Sequence, residues 1–187
     1  MNLRNGSERT RRWAREVLDF WFSRGWDDWW KRNDAFDDEI RELFFHLWET
    51  QRERPVADFL GSAEDALAAV ILFDQFPRNM FRGSADQFAT DHLALAVAKG
   101  AVERGYDDGM AKAQRGFLYM PFQHSEKLQD QVQSLLLFSA LGDAEQLNYA
   151  RKHHEVIERF GRFPHRNAIL GRKPTALEAA AGDVVPW

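Results

Sequence analysis

Asp74 lies four residues after Val70 and seven after Leu67, so on a helix it shares the apolar stripe of its own segment. A carboxylate in that place must find a cation or give up its charge. Arg78, four residues on, is the near partner, and an Asp74–Arg78 ion pair that fixes the turn is expected. Further along, Arg115, Tyr119, His124 and Glu126 crowd around Pro121 and Ser125. An unperturbed imidazole titrates near neutral pH, which opens acid/base chemistry to His124. Glu126 falls in the first turn of a following helix, where the helix dipole alone accounts for a carboxylate.

The string Phe76-Pro77-Arg78-Asn79 returns as Phe163-Pro164-His165-Arg166-Asn167. In both copies a glycine follows the Asn by four residues, Gly83 and Gly171, and a capped helix start comes next, Ser84 with Gln87 and Thr175 with Glu178. This reads as a common way to join helices, with duplication as the other explanation; two copies do not set a repeat period. Charge is uneven as well. From Arg151 to Lys173 seven Lys/Arg face two Glu, a local +5 in a chain of net −4. The excess is led by arginine, whose planar guanidinium grips a carboxylate or phosphate with two bonds.

Three functions fit these residues. In the first, Arg78, Asn79, Arg82, Arg115, Tyr119, His124 and Glu126 join Arg162, His165, Arg166 and Asn167 in one groove that binds a small anion or an acidic peptide. The second is a hydrolase or transferase acting on an anionic metabolite without a metal, with His124 or His165 as acid/base. The third is structural: the polar strings lock turns, the arginines pair with acidic helices such as residues 27–65, and function lies in a protein interface that the sequence does not mark.

Other classes are excluded. With no cysteine there are no disulfides, thiolate metal sites or Cys nucleophiles. None of the six histidines has a His partner at the i+4 spacing of a zinc helix, and no metal is expected. No Gly-rich phosphate loop or dinucleotide fingerprint appears, so no cofactor is expected. A pI near 5.9 without a reader motif speaks against nucleic acid. No apolar run approaches the ~18 residues of a membrane span. Residues 1–15 lack the apolar core of a secretory signal, and the cytoplasm is the expected compartment. Oligomeric state is left open.

The elements that must position these groups are helices. Val and Ile number 13 against 23 Ala and 18 Leu, a balance that starves strands. Residues 1–8 read as a flexible leader. Helices are expected over about 7–24 and 34–52, then from Ser62 until Pro77 forces Phe76 out of the α region. An Ala-rich helix opens at Ser84 and runs to Glu103, and a short one stops before Pro121. Further helices run from a Ser125 cap to Gly142, from Asp143 to Phe160, and from Thr175 onward. Eight helices with short connections describe one all-α domain over 1–187, stacked as antiparallel hairpins. Trp26, Trp29 and Trp30 are expected to wedge the first two helices together, with ligand stacking by Trp29 or Trp30 as the alternative.

Four strings carry a resemblance. They are Val17-Leu-Asp-Phe-Trp-Phe22, Phe73-Asp-Gln-Phe-Pro-Arg-Asn-Met-Phe-Arg-Gly83, Phe117-Leu-Tyr-Met-Pro-Phe-Gln-His-Ser-Glu126 and Arg159-Phe-Gly-Arg-Phe-Pro-His-Arg-Asn167. In this order they resemble the bacterial domain-of-unknown-function family 924, over residues 13 to 180. The resemblance implies a tetratricopeptide-like (TPR-like) α–α superhelix and no established activity, substrate or cofactor. Gln123 stands where the family often has Glu, which weakens any role needing a carboxylate there.

Overall fold

Trp13, Val17 and Trp21 repeat at helical spacing, and all three are buried on one side of α1 (Arg4–Phe22). The computed structural model describes residues 4–182, with side chains from Arg12 onward. Helix α1 starts at Arg4, inside the stretch expected to be a flexible leader; residues 1–3 lie outside the described residues. A short helix that the sequence reading omitted, α2 (Trp26–Trp30), follows. Trp29 anchors it, its indole N–H donating to Trp21 O at 3.0 Å and its ring meeting Phe22 and Phe117. The expected wedge of all three tryptophans between the first two helices is corrected: Trp26 and Trp30 are exposed, and Trp30 stacks on Phe117. Next is α3 (Asp34–Gln51), whose first turn is capped by Asn33 accepting from Phe36 N–H.

The chain then enters the centre of the molecule. Helix α4 (Ala63–Val70) is capped by Ser62, widens into a π turn (Ile71–Gln75), and continues as α5 (Phe76–Met80). The expectation that Pro77 ends the helix is corrected here: Phe76 keeps helical angles, φ −58° and ψ −40°. A proline inside a helix removes one backbone donor and clashes with the carbonyl four residues back. That carbonyl, Phe73 O, accepts instead from the Thr90 hydroxyl at 2.7 Å, and Thr90 in turn accepts from the Trp48 indole at 3.1 Å. The wide turn and a side chain from elsewhere absorb the proline. All five residues of the π turn are buried, which a regular amphipathic helix would not allow.

Helix α6 (Asp91–Glu103) presents Ala94, Val97, Ala98 and Ala101 to the core. The Ser84 cap opens only a 3₁₀ turn, Ala85–Phe88, rather than α6 itself. Helix α7 (Lys112–His124) runs through Pro121 instead of stopping before it. Ser125 ends α7 rather than starting α8 (Leu128–Leu141); its hydroxyl donates to Asp130 at 2.7 Å. Helix α9 (Ala144–Phe160) carries the expected Asp143 cap and stops at Gly161, where φ is +69°, a conformation that favours glycine. Last comes α10 (Ala176–Ala181), with the expected Thr175–Glu178 capping box.

No strand occurs among the described residues. Helix α8 packs on α7 and α9, α1 on α4, and α3 on α5. The π turn touches α1, α3, α6 and α7, so its side chains meet most of the fold. Around it rings interlock: Phe76 lies 4.6 Å from Phe44 and 5.7 Å from Trp21, centroid to centroid. Burying one such ring contributes about 2–3 kcal/mol, enough to hold the wide turn against its poorer hydrogen bonding.

Candidate functional site

The π turn delivers Asp74 and the end of α7 delivers His124 to one buried point. Asp74 has no solvent exposure. Its Oδ1 lies 2.8 Å from His124 Nδ1 and 3.3 Å from Arg78 Nη1, so the expected Asp74–Arg78 contact is present. Its Oδ2 accepts from Gln75 Nε2 at 2.5 Å. Burial alone would raise the Asp74 pKa, but the Arg78 charge and the His124 ring bring it down to about 2. For His124, burial and the nearby Arg78 charge outweigh Asp74 and lower the pKa.

These directions set the ring's state. An ionised carboxylate only accepts, so Nδ1 of the neutral imidazole carries the proton and donates to Asp74. The lone pair is left on Nε2, which makes no hydrogen bond to the described residues. His124 is thereby prepared as a base rather than as an acid.

A second acid completes the cluster. Asp91, the first residue of α6, takes Arg78 in a two-bond pair at 2.8 and 3.0 Å, and Arg166 Nη1 reaches it at 3.5 Å. Arg166 also donates to His124 O at 3.1 Å, and its guanidinium sits 4.5 Å from the rings of both Phe88 and Phe163. Burial and the Arg78 charge lower its pKa to about 10, which leaves it charged at neutral pH. The two Phe-Pro turns therefore meet at the histidine turn, through Arg78, Asp91 and Arg166.

Two clefts open beside His124. One, of about 440 Å³, is lined by Trp26, Trp30, Met120, Gln123, Glu145, Gln146, Tyr149 and His153. The other, of about 210 Å³, is lined by Trp29, Trp30, Lys31, Arg32, Gln75, Arg78, Asn79, Arg82 and Met120. His124, Trp30 and Met120 belong to both, so the imidazole stands where a hollow of rings and amides, with Glu145 in its lining, meets a basic one.

The remaining sequence candidates divide among separate networks. Arg82 and Asn79 converge on the buried Asp37, Arg82 through bonds of 2.6 and 2.9 Å and Asn79 at 2.7 Å. Glu126 accepts the Phe163 N–H at 2.8 Å and a two-bond grip from Arg172 at 2.7 and 3.0 Å. Burial would raise its pKa, but Arg172 and the Phe163 amide lower it. Asn167 donates to Glu178, which also pairs with Arg162 at 3.2 Å. Arg115 donates to the Tyr119 hydroxyl, and Tyr119 donates to Asp107 at 2.6 Å. His165 lies beside Phe163, its pKa pushed down to about 4 by burial and Arg166.

One shared hollow for all these arginines is therefore corrected. Arg78, Asn79 and Arg82 line the basic cleft; Arg115, Tyr119, Glu126, Arg162, His165, Arg166 and Asn167 line neither cleft. Each named guanidinium has an acid or hydroxyl partner, because a guanidinium drawn inward needs its charge compensated. Sequence reasoning missed those partners. Asp37 and Asp91 look like ordinary first-turn helix acids, and only the fold brings Arg82 and Arg78 to them. It also missed Gln146 and Tyr149, whose polarity on an amphipathic helix carries no functional signal by itself. Among the described residues no three His, Asp or Glu side chains gather as a metal ion would require, and no helix is long and apolar enough to cross a membrane.

The family model of a bacterial protein of unknown function, DUF924, matches residues 17–181. No curated protein matches the chain. A solved structure of a protein of unknown function from Agrobacterium tumefaciens is 39% identical, with a TM-score of 0.86, over 92% of this chain and 97% of that one. The four strings, the all-helical fold and these matches agree: the chain belongs to the DUF924 family.

Proposed function

We propose that this protein is an enzyme of the hydrolase or transferase type that acts on a small anionic substrate, with His124 as its general base and Asp74 as the residue that positions it. The single observation that carries the reading is the Asp74–His124 contact of 2.8 Å at a residue that lines both clefts. A buried carboxylate that fixes one imidazole tautomer is what proton abstraction needs. In the simplest step, Nε2 takes a proton from water, the hydroxide adds to an acyl or phosphoryl centre, and the imidazolium returns the proton to the leaving group. Lys31, Arg32, Arg78 and Arg82 line the basic cleft, each beside a carboxylate, and the N–H donors those pairs leave over suit a substrate anion.

Simple anion binding at the same cleft is the second reading, favoured by that basic lining. Hydrolysis of a panel of aryl carboxylate and phosphate esters separates the two. An enzyme shows turnover that falls to background in His124→Gln, whereas a binder shows none. Tautomer and reactivity are checked without a substrate: nitrogen NMR is expected to find Nε2 unprotonated at pH 7, and diethyl pyrocarbonate to modify His124 first. A protonated Nε2, or an inert His124, overturns the reading.

A further inference from the structure

The larger cleft has a composition that the base does not explain. Gln123 is 8% exposed, Gln146 is half-buried, both line it, and neither side-chain amide makes a hydrogen bond to the described residues. The oxygen of each amide is fully buried and unpaired. A buried amide without a partner costs about 1–3 kcal/mol, so two in one cleft call for a ligand with complementary donors and acceptors. Around them stand flat rings with open surface: Trp26 is 52% exposed, Trp30 43% and Tyr149 37%. Trp30 is held in place by stacking 6.0 Å from Phe117, with planes 7° apart.

Charge decides among the ligands that rings and amides could take. His153, a buried residue of the lining, is neutral, its pKa driven to about 2 by burial and His124. Glu145 is the one acidic or basic side chain there besides the two imidazoles, and it is exposed. A buried ammonium would want a buried carboxylate, and a plain hydrocarbon ring would leave the amides unpaired. An uncharged heterocycle satisfies both surfaces: its face stacks on indole or phenol, and its edge pairs with amides as adenine does with Gln. The neighbouring basic cleft shares His124 and Trp30 and would hold an anionic tail. Together the clefts fall within the usual size of small-molecule sites, about 300–1,000 Å³.

Resting on the acid/base reading of this site, we infer that the substrate class is an uncharged heteroaromatic ring bearing a phosphate or carboxylate, with the ring among Trp26, Trp30, Gln123 and Gln146 and the anion towards Arg82. Titration calorimetry tests it with adenosine 5′-monophosphate and nicotinate as ring-plus-anion probes, and with their halves, adenosine and ribose 5-phosphate for the first, pyridine and acetate for the second. At least one whole probe is expected to bind ten-fold or more tighter than either of its halves. Gln123→Met with Gln146→Met should remove that advantage and leave ribose 5-phosphate binding unchanged. Trp30→Phe, which keeps a ring on Phe117, should weaken the whole probe several-fold. The inference is overturned if no probe binds, if the halves bind as well as the whole, or if the double Met variant keeps the full advantage. Should that happen while His124 keeps its unprotonated, reactive Nε2, the acid/base reading stands alone; an inert His124 removes that reading whatever the probes do.

Discussion

Oδ1 of Asp74 stands 2.8 Å from Nδ1 of His124, and the same oxygen lies 3.3 Å from Arg78. The carboxylate is thus shared between a group that must stay neutral and one that must stay charged. Asp74→Ala leaves Arg78 and the imidazole buried without it, and a loss of about 3–5 kcal/mol is expected in urea unfolding. Arg78 still holds Asp91, which places the result nearer the lower figure. Asp74→Asn separates orientation from folding. Its amide can donate to Nδ1, driving the proton to Nε2, so carbethoxylation of His124 should slow ten-fold or more in a variant that still melts cooperatively.

A pH dependence follows from the three lowered histidines. Burial drives His153 to about 2 and His165 to about 4, and lowers His124, whereas unfolded histidines titrate near pH 6.5. Between the folded and unfolded values only the unfolded chain takes up protons. Stability is therefore complete above about pH 6.5 and is lost as pH falls toward 4, at up to about 1.4 kcal/mol per pH unit for each proton. Melting temperature should drop steeply between pH 7 and pH 5, and His153→Gln should flatten the slope by up to one proton. An equal slope in the variant would place the effect elsewhere.

Arg172 ties the second Phe-Pro turn to the start of α8. Besides its grip on Glu126 it donates to Asn167 Oδ1 at 2.9 Å and to Phe163 O at 3.0 Å. Arg172→Ala should cost about 2 kcal/mol, the scale of charge-assisted bonds in a partly screened place. Arg172→Lys should recover less than half, since an ammonium cannot serve carboxylate, amide and carbonyl from one plane. Urea midpoints of the two variants check this.

How much of this was legible in the sequence depends on the range of the forces involved. Asp143, Thr175 and Gly161 are read correctly because capping and left-handed backbone are settled within a few residues. Asp74 stood out because a carboxylate on an apolar stripe is a local contradiction that needs resolving. Pro77 misled, since its cost is relieved by Thr90, which no local rule connects to Phe73. The arginine groove misled for the same reason. Guanidinium groups advertise themselves along the chain, whereas Asp37 and Asp91 look like routine helix-start acids until the fold sets them opposite. The clefts are less legible still, because Gln123 and Gln146 gain meaning only from lacking partners in the assembled structure.

Arg82 and Arg115 make the sharpest comparison, being alike in sequence and different in place. Arg82 lines the basic cleft, and only two of its guanidinium nitrogens are taken up by Asp37, so Nη1 remains available to an anion. Arg115 is engaged with Tyr119, whose hydroxyl bonds Asp107, and it lines neither cleft. Arg82→Ala should weaken adenosine 5′-monophosphate five-fold or more in titration calorimetry while leaving adenosine unchanged. Arg115→Ala should change neither. If Arg115→Ala weakened the phosphate probe as much as Arg82→Ala, the anion would have to sit outside the cleft that His124 faces, and the charge would have no part in holding substrate against the base.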